Sequence, residues 1–96
     1  MVPVYKGLLA WYERQKENAL SDFSCDLADF QSGSAFIDIN TGKVIGRITV
    51  SDAGYLELSC LNLSDGTLLD SKHHKMGSWT EAEPLVDEFI VLIKSY

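Results

Sequence analysis

The chain has 96 residues, which is enough for one domain and too few for two. Apolar residues make up 46% and charged residues 23%, so the chain is globular in composition and too apolar to be disordered. Fourteen acidic and eight basic residues give a net charge of −6. This charge argues against nucleic acid and anionic membranes as partners, because both are bound mainly through Lys and Arg. The negative net charge is compatible with a basic protein partner.

Neither a secretory signal nor a membrane span is predicted. The first residues lead into an amphipathic segment without the apolar stretch of a signal peptide, and no apolar run has bilayer-spanning length. Cys25 and Cys60 are too few for a disulfide framework and do not have metal-ligand spacing. We therefore expect a cytoplasmic protein with two reduced thiols; a Cys25–Cys60 bridge is the alternative in an oxidising compartment.

Apolar residues recur at helical spacing near both ends of the chain. They predict one helix over residues 3–20 and another over residues 80–95. The start of the second helix is ambiguous, because Ser78 and Thr80 are each followed by a glutamate at capping-box spacing. Trp79 at this point either packs against the helix or stands exposed as an interface anchor.

Between the helices the apolar pattern changes to a period of two, which indicates strands. Strands are predicted over residues 35–39, 44–50 and 55–63, and a more polar one over residues 68–75. A further short strand is indicated by the alternation at residues 23–27. Short turns join the main strands, including an Asp-Gly turn, and they predict an antiparallel meander. The meander has three to four strands, or five with residues 23–27.

Each helix has an apolar stripe that must be buried. The simplest solution places both helices on one face of the sheet, as a two-layer α+β sandwich within a single domain over residues 1–96. The alternation assigns six residues to the covered face: Ile37, Ile39, Ile48, Val50, Leu56 and Leu58. The polar strand over residues 68–75 suits an edge, where Lys72 and Lys75 discourage pairing with another sheet.

The opposite face of the sheet is left uncovered, and we call it the open face. The alternation gives it aromatic, aliphatic and charged side chains: Phe36, Asp38, Ile45, Arg47, Thr49, Tyr55, Glu57 and Leu61. This mixture is typical of protein interfaces. The alternative is an ordinary solvated face on which Arg47 pairs with Asp38 or Glu57.

No catalytic, cofactor or metal site is predicted from the residue pattern. His73 and His74 are adjacent on a strand, so they point to opposite faces and do not share a ligand. The chain has no nucleophile elbow and no glycine-rich nucleotide motif. Gly46, in the middle of a strand, indicates close packing of a helix or ring, or a bulge, more than a ligand site. We therefore predict a protein that is not an enzyme and uses no cofactor.

The central segment resembles the TriTu family of bacterial immunity proteins. The segments that carry the likeness are, in order, Ile37–Ile39, Lys43–Val50, the turn at Gly54, Leu56–Leu58, Asp65-Gly66 and His73-His74. The likeness covers residues 35–76 and continues more loosely into both helices. It departs from the family pattern at Ser51-Asp52, where members often have Trp-Glu. An aromatic contact is therefore missing or is supplied by Tyr55.

The resemblance implies a function that composition does not reveal. TriTu-type proteins are antidotes to antibacterial toxins delivered between cells, often as the C-terminal part of Rhs effectors of type VI secretion. The toxin of the family is an ADP-ribosyltransferase that modifies elongation factor Tu. The resemblance thus implies a cytoplasmic bacterial protein, monomeric when free, that blocks its cognate toxin in a one-to-one complex. It implies no catalytic residue and no cofactor.

The open face is the expected docking site for the toxin. The candidate toxin-binding residues are Phe36, Asp38, Ile45, Arg47, Thr49, Asp52, Tyr55 and Glu57. Six acidic residues outside the helices are expected to form an acidic docking surface: Asp22, Asp26, Asp29, Asp38, Asp52 and Glu57. The next candidates are the polar side of the first helix (Glu13, Arg14 and Glu17) and residues 21–34. The alternative function is a small acidic secretion chaperone, a class that is usually dimeric and binds extended, unfolded segments.

Overall fold

The structure is a computed structural model that describes residues 2–96, and within them it contains two helices and one five-stranded sheet. The elements are α1 (Val4–Gln15), β1 (Ser24–Asp29), β2 (Ser34–Asn40), β3 (Val44–Ser51), β4 (Tyr55–Asn62), β5 (Leu68–Lys75) and α2 (Trp79–Lys94). The strands lie side by side in chain order, and each neighbouring pair is antiparallel. The predicted α+β meander is therefore confirmed, with five strands.

Helix α1 is shorter than the predicted span of residues 3–20. It ends at Gln15, and the chain then forms turns up to β1. The side-chain Nδ2 of Asn18 donates to the backbone carbonyl of Arg14 at 2.6 Å. The backbone N–H of Leu20 donates to the carbonyl of Gln15. Leu20 has helical spacing in the sequence, but it is buried because the chain turns back onto the core.

Both helices pack on one face of the sheet, as expected from their apolar stripes. Helix α1 contacts β3 and α2, and α2 contacts β3 and β4. All six residues assigned to the covered face are buried, with exposures of 3% or less. Burial of an aliphatic side chain contributes about 1.5–3 kcal/mol, so this layer drives the folding of the sheet. Among residues 2–96, no helix has both the length and the apolar character that a bilayer crossing requires.

Trp79 lies in the core between the two helices. Only 7% of it is exposed, and its ring is tilted by 60° against Trp11 at a centroid distance of 6.4 Å. Gly7 makes this packing possible, because a Cβ at that position would lie 2.1 Å from Cγ of Trp79. The indole N–H of Trp11 donates to Oδ1 of Asp87 at 3.1 Å. Trp79 is thus a packing residue, and its burial excludes the alternative of an exposed interface anchor.

Gly46 has the role expected of a mid-strand glycine. It lies on the covered face of β3, where a Cβ would be 3.1 Å from the ring of Phe89 and 3.2 Å from Ile93. The ring therefore rests directly on the strand backbone. The prediction of close helix or ring packing at Gly46 is confirmed.

The start of α2 resolves the ambiguity between the two capping patterns. Ser78 is the N-cap, and Oε2 of Glu81 accepts a hydrogen bond from the N–H of Gly77 at 3.0 Å. The Ser78 side chain makes no capping hydrogen bond. Of the two hydrogen bonds of a capping box, only the one accepted by the glutamate is therefore present. Its donor is the N–H of Gly77, one residue before the N-cap, instead of the N–H of Ser78 itself.

The two cysteines are free thiols, as expected. Cys60 is buried on β4 and Cys25 is half-buried on β1, so two strands separate them. Three strand spacings of about 4.8 Å place them roughly 14 Å apart, whereas a disulfide requires Cα atoms within about 7 Å. The fold therefore excludes the alternative bridge. Burial raises the pKa of both thiols, which lowers their reactivity at neutral pH.

The Trp79–Gly7 contact predicts the effect of Gly7→Ala. Overpacking a core costs about 1–3 kcal/mol, and a Cβ only 2.1 Å from Cγ of Trp79 places the cost in the upper part of this range, at about 2–3 kcal/mol. Alanine gains only ~1 kcal/mol over glycine in a helix. We expect a net fall of about 1–2 kcal/mol in the free energy of unfolding, measured by urea denaturation. Lys6→Ala, at an exposed position of the same helix, is the control and should change it by less than about 0.5 kcal/mol. A Gly7→Ala variant as stable as this control would contradict the packing.

Candidate functional site

The open face of the sheet is uncovered across all five strands. The strand register places its residues in rows that run from β1 to β5. One row is Asp26, Asp38, Arg47, Ser59 and Ser71, and the next is Ala28, Phe36, Thr49, Glu57 and His73. Seven of the eight candidate residues lie on this face: Phe36, Asp38, Ile45, Arg47, Thr49, Tyr55 and Glu57.

Arg47 is held in one position at the centre of the open face. Its Nε and Nη2 donate to the two carboxylate oxygens of Asp38 at 2.6 and 2.9 Å. Its guanidinium lies 4.1 Å from the ring centroid of Phe36, in a cation–π contact. These hydrogen bonds to the Asp38 carboxylate raise the pKa of Arg47. An exposed ion pair stabilises a fold by only about 0–1 kcal/mol, so the main consequence is an ordered side chain.

Phe30 extends this cluster and was missed by the sequence analysis. Its ring lies 5.8 Å from that of Phe36, and 59% of the residue is exposed. Its N–H donates to the carbonyl of Ser34, so it continues the pairing of β1 with β2. The alternation along β1 could have identified it, because the even-numbered residues from Ser24 onward point to the open face. Exposed, clustered aromatic rings are typical of binding surfaces.

The β4 side of the open face is partly polar and partly apolar. Nε2 of His73 is 3.9 Å from Oε1 of Glu57. Tyr55, two residues before Glu57 on β4, points to the same face and is 55% exposed. At the opposite end of the sheet, Ile45 on β3 is in register with Leu61, which is in register with Leu68 on β5. Leu61 and Leu68 are exposed. The open face therefore combines aromatic, charged and aliphatic surface within one layer.

Asp52 does not lie with the other candidate residues. It is in the turn between β3 and β4, where its Oδ1 accepts a hydrogen bond from the N–H of Tyr5 at 3.2 Å. Pro3, the N-cap of α1, offers no side-chain cap, so Asp52 supplies one from another part of the chain. Its own N–H donates to the carbonyl of Gly33 at 2.8 Å. The turn bends toward the helix layer, and this removes Asp52 from the open face.

The acidic residues of the first loop and the sheet do not form one surface. Asp26, Asp38 and Glu57 point to the open face, whereas Asp29 and Asp52 lie on the helix side. Both of these contact Tyr5, whose hydroxyl donates to Asp29. That hydrogen bond raises the pKa of Tyr5. The expected single acidic docking surface is therefore divided between the two layers.

The two histidines lie on opposite faces, as predicted from strand geometry. His73 is next to Glu57 on the open face, whereas His74 lines a groove of about 210 Å³ between β5 and α2. Phe89 and Glu88 of α2 and Lys72 of β5 also line this groove. In residues 2–96, no group of three or more His, Cys, Asp and Glu side chains has the arrangement of a metal site.

Comparison with protein families identifies the class of the protein. A family described as "Immunity protein TriTu" matches residues 6–92, which include most of α1, the whole sheet and most of α2. The protein is thus an immunity protein, a class whose members bind a cognate toxin. Within that class, the chain belongs to the TriTu family. The likeness seen over residues 35–76 therefore extends into both helices. No curated protein matches the chain.

The capping contact of Asp52 predicts a specific effect on stability. Removal of an N-cap acceptor costs about 1 kcal/mol, so Asp52→Ala should lower the free energy of unfolding by this amount. Asp52→Asn keeps an oxygen that accepts from Tyr5, so it should retain most of the stability. Thermal and urea unfolding of both variants measures the difference. Equal destabilisation by the two substitutions would show that the helix cap is not the source.

Proposed function

We propose that the protein neutralises an ADP-ribosyltransferase toxin that modifies elongation factor Tu. It acts in the bacterial cytoplasm as one domain over residues 1–96 and is monomeric when free. It binds the toxin in a one-to-one complex through the open face of the sheet and covers the toxin's active site. Membership of the TriTu family supports the immunity role. The likeness of the central strands to that family implies the toxin class.

The ordered cluster on the open face is the observation that most supports it as the binding site. Binding is weakened when long side chains must be immobilised in the interface. Asp38 and Phe36 already hold Arg47 in the free protein, so binding requires little further immobilisation of this side chain. Phe30 and Tyr55 supply exposed aromatic rings, and such residues are enriched among binding hot spots.

The chemistry of the open face supports occlusion as the mode of inhibition. Its carboxylates and hydroxyls pair with polar groups of the toxin, and its aromatic and aliphatic residues replace water on the toxin surface. A rigid sheet placed over a cleft excludes both NAD and the protein substrate without any chemical step. The net charge of −6 attracts a basic toxin surface and speeds association in a salt-dependent way.

The proposed activity can be tested with the toxin encoded by the gene directly upstream. The purified toxin should transfer labelled ADP-ribose from NAD to elongation factor Tu. Addition of the protein should abolish the transfer, with a sharp end point at one equivalent. A different modified protein would contradict the toxin class. Incomplete inhibition at several equivalents would contradict stoichiometric occlusion.

The secretion chaperone is separated from this proposal by oligomeric state and by the state of the bound protein. Size-exclusion chromatography with light scattering should show a monomer that forms a one-to-one complex with the folded toxin. A dimer that is stable alone and binds only unfolded segments of an effector would identify a chaperone instead.

Glu57→Lys is expected to weaken toxin binding without unfolding the protein. The substitution reverses a charge in the middle of the open face, which should lower affinity by about tenfold or more, or about 1.4 kcal/mol. Arg47→Glu should have a similar effect, because it repels Asp38 and removes the cation from Phe36. Isothermal titration with the toxin measures both affinities.

Glu17→Lys is the matched control for these variants. It makes the same charge change at an exposed position of the turns after α1, and it should leave affinity within about threefold of wild type. Full protection of toxin-expressing cells by both open-face variants would contradict the proposed site. A loss confined to Glu17→Lys would move the site to the turns after α1.

A further inference from the structure

The two edges of the sheet differ in how they resist pairing with another strand. The β5 edge carries Lys72 and Lys75, and its pairing with β4 shifts register between Cys60 and Leu61. Lysines and irregular pairing are the usual devices that protect a sheet edge. Strand β1 has no lysine and no proline, and its pairing with β2 is regular over all six residues. Its edge is therefore open to strand addition.

The hydrogen bond at the β1–β2 turn shows which backbone groups are available at this edge. The N–H of Phe30 donates to the carbonyl of Ser34, so the backbone groups of Phe30 face β2. In an antiparallel pair, every second residue directs its backbone N–H and C=O to the partner strand. Ala28, Asp26 and Ser24 thus pair with β2. The backbone N–H and C=O groups of Cys25, Leu27 and Asp29 point outward, where residues 2–96 supply no further strand.

The side chains along the β1 edge favour one kind of occupant. Residues 21–31 contain three aspartates and no lysine or arginine. Pairing with β1 of a second copy would place acidic strands against each other, and like charges on paired strands are destabilising. Leu27 is 36% exposed on the helix side and Phe30 is exposed on the open face. The edge therefore matches an extended segment that carries basic and apolar residues.

We propose that β1 binds an extended, basic segment of the toxin as a sixth strand of the sheet. Backbone hydrogen bonds to Cys25, Leu27 and Asp29 provide affinity, as in other cases of strand addition. A lysine or arginine opposite Asp26 and an apolar residue near Leu27 provide specificity. The identity of the partner rests on the proposed function. An added strand at β1 also brings the toxin beside Phe30 and Phe36, so one approach engages both the edge and the open face.

Leu27→Pro tests the edge directly, because it removes an outward N–H and leaves the β1–β2 hydrogen bonds intact. Proline is tolerated on edge strands where the N–H faces solvent. We expect toxin affinity to fall by about tenfold or more, since a hydrogen bond is lost and the ring obstructs the added strand. Leu27→Ala removes the same side chain but keeps the N–H, so it is the matched control and should bind the toxin at least about threefold more tightly than Leu27→Pro. Equal affinities of the two variants would overturn the proposal.

Hydrogen exchange of the wild-type protein provides a second test that does not depend on the folding of a variant. The amides of Cys25, Leu27 and Asp29 should exchange rapidly in the free protein and become protected in the toxin complex. The amides of Asp26 and Ala28 should be protected in both states. A complex that leaves the three outward amides unprotected overturns the proposal. Protection that grows with the concentration of free protein also overturns it, because the occupant is then a second copy.

The outcomes separate this inference from the proposed function. If Glu57→Lys loses affinity for the toxin while Leu27→Pro retains it, the edge inference fails and the open-face site stands. If the wild-type protein neither binds nor inhibits the upstream toxin, the proposed function itself fails.

Discussion

The packing of Trp79 against Gly7 is the contact on which the arrangement of the two layers depends. It joins the start of α2 to the first half of α1, although 72 positions separate the two residues in the chain. Trp11 packs against the same ring and is anchored to Asp87 of α2. With the helices joined in this way, both apolar stripes are used on one side of the sheet. The open face remains uncovered as a direct consequence.

One-sided packing separates the residues that stabilise the fold from the proposed recognition surface. The buried side chains lie between the sheet and the helices, whereas the open-face residues contribute little to the core. Exposed pairs such as Arg47 with Asp38 stabilise the fold only weakly. Side chains on this face can therefore be matched to a partner at a small cost in folding free energy. A sheet with an adaptable outer surface suits the proposed recognition of one toxin.

The local pattern of the chain was sufficient for much of the fold and part of the site. A period of two assigns each strand residue to one face without knowledge of the neighbours, so Ile37 and Ile48 were placed in the core and Phe36 and Arg47 outside it. Phe30 was missed because the alternation that indicates this strand ends at residue 27, three positions before it. Asp52, the candidate from the turn after β3, lies apart from the open face, because the direction of a turn depends on what it contacts, here the N-terminus of α1.

The sequence by itself determined the two helices, the meander order, the covered face and the likeness to an immunity family. These depend on periodicity, turn residues and short motifs, all of which act over a few neighbouring positions. Only the tertiary structure decided where the acidic residues point, that Trp79 is buried, and that β1 forms the other, free edge of the sheet. These properties depend on contacts between distant segments, and no local pattern encodes which segments meet.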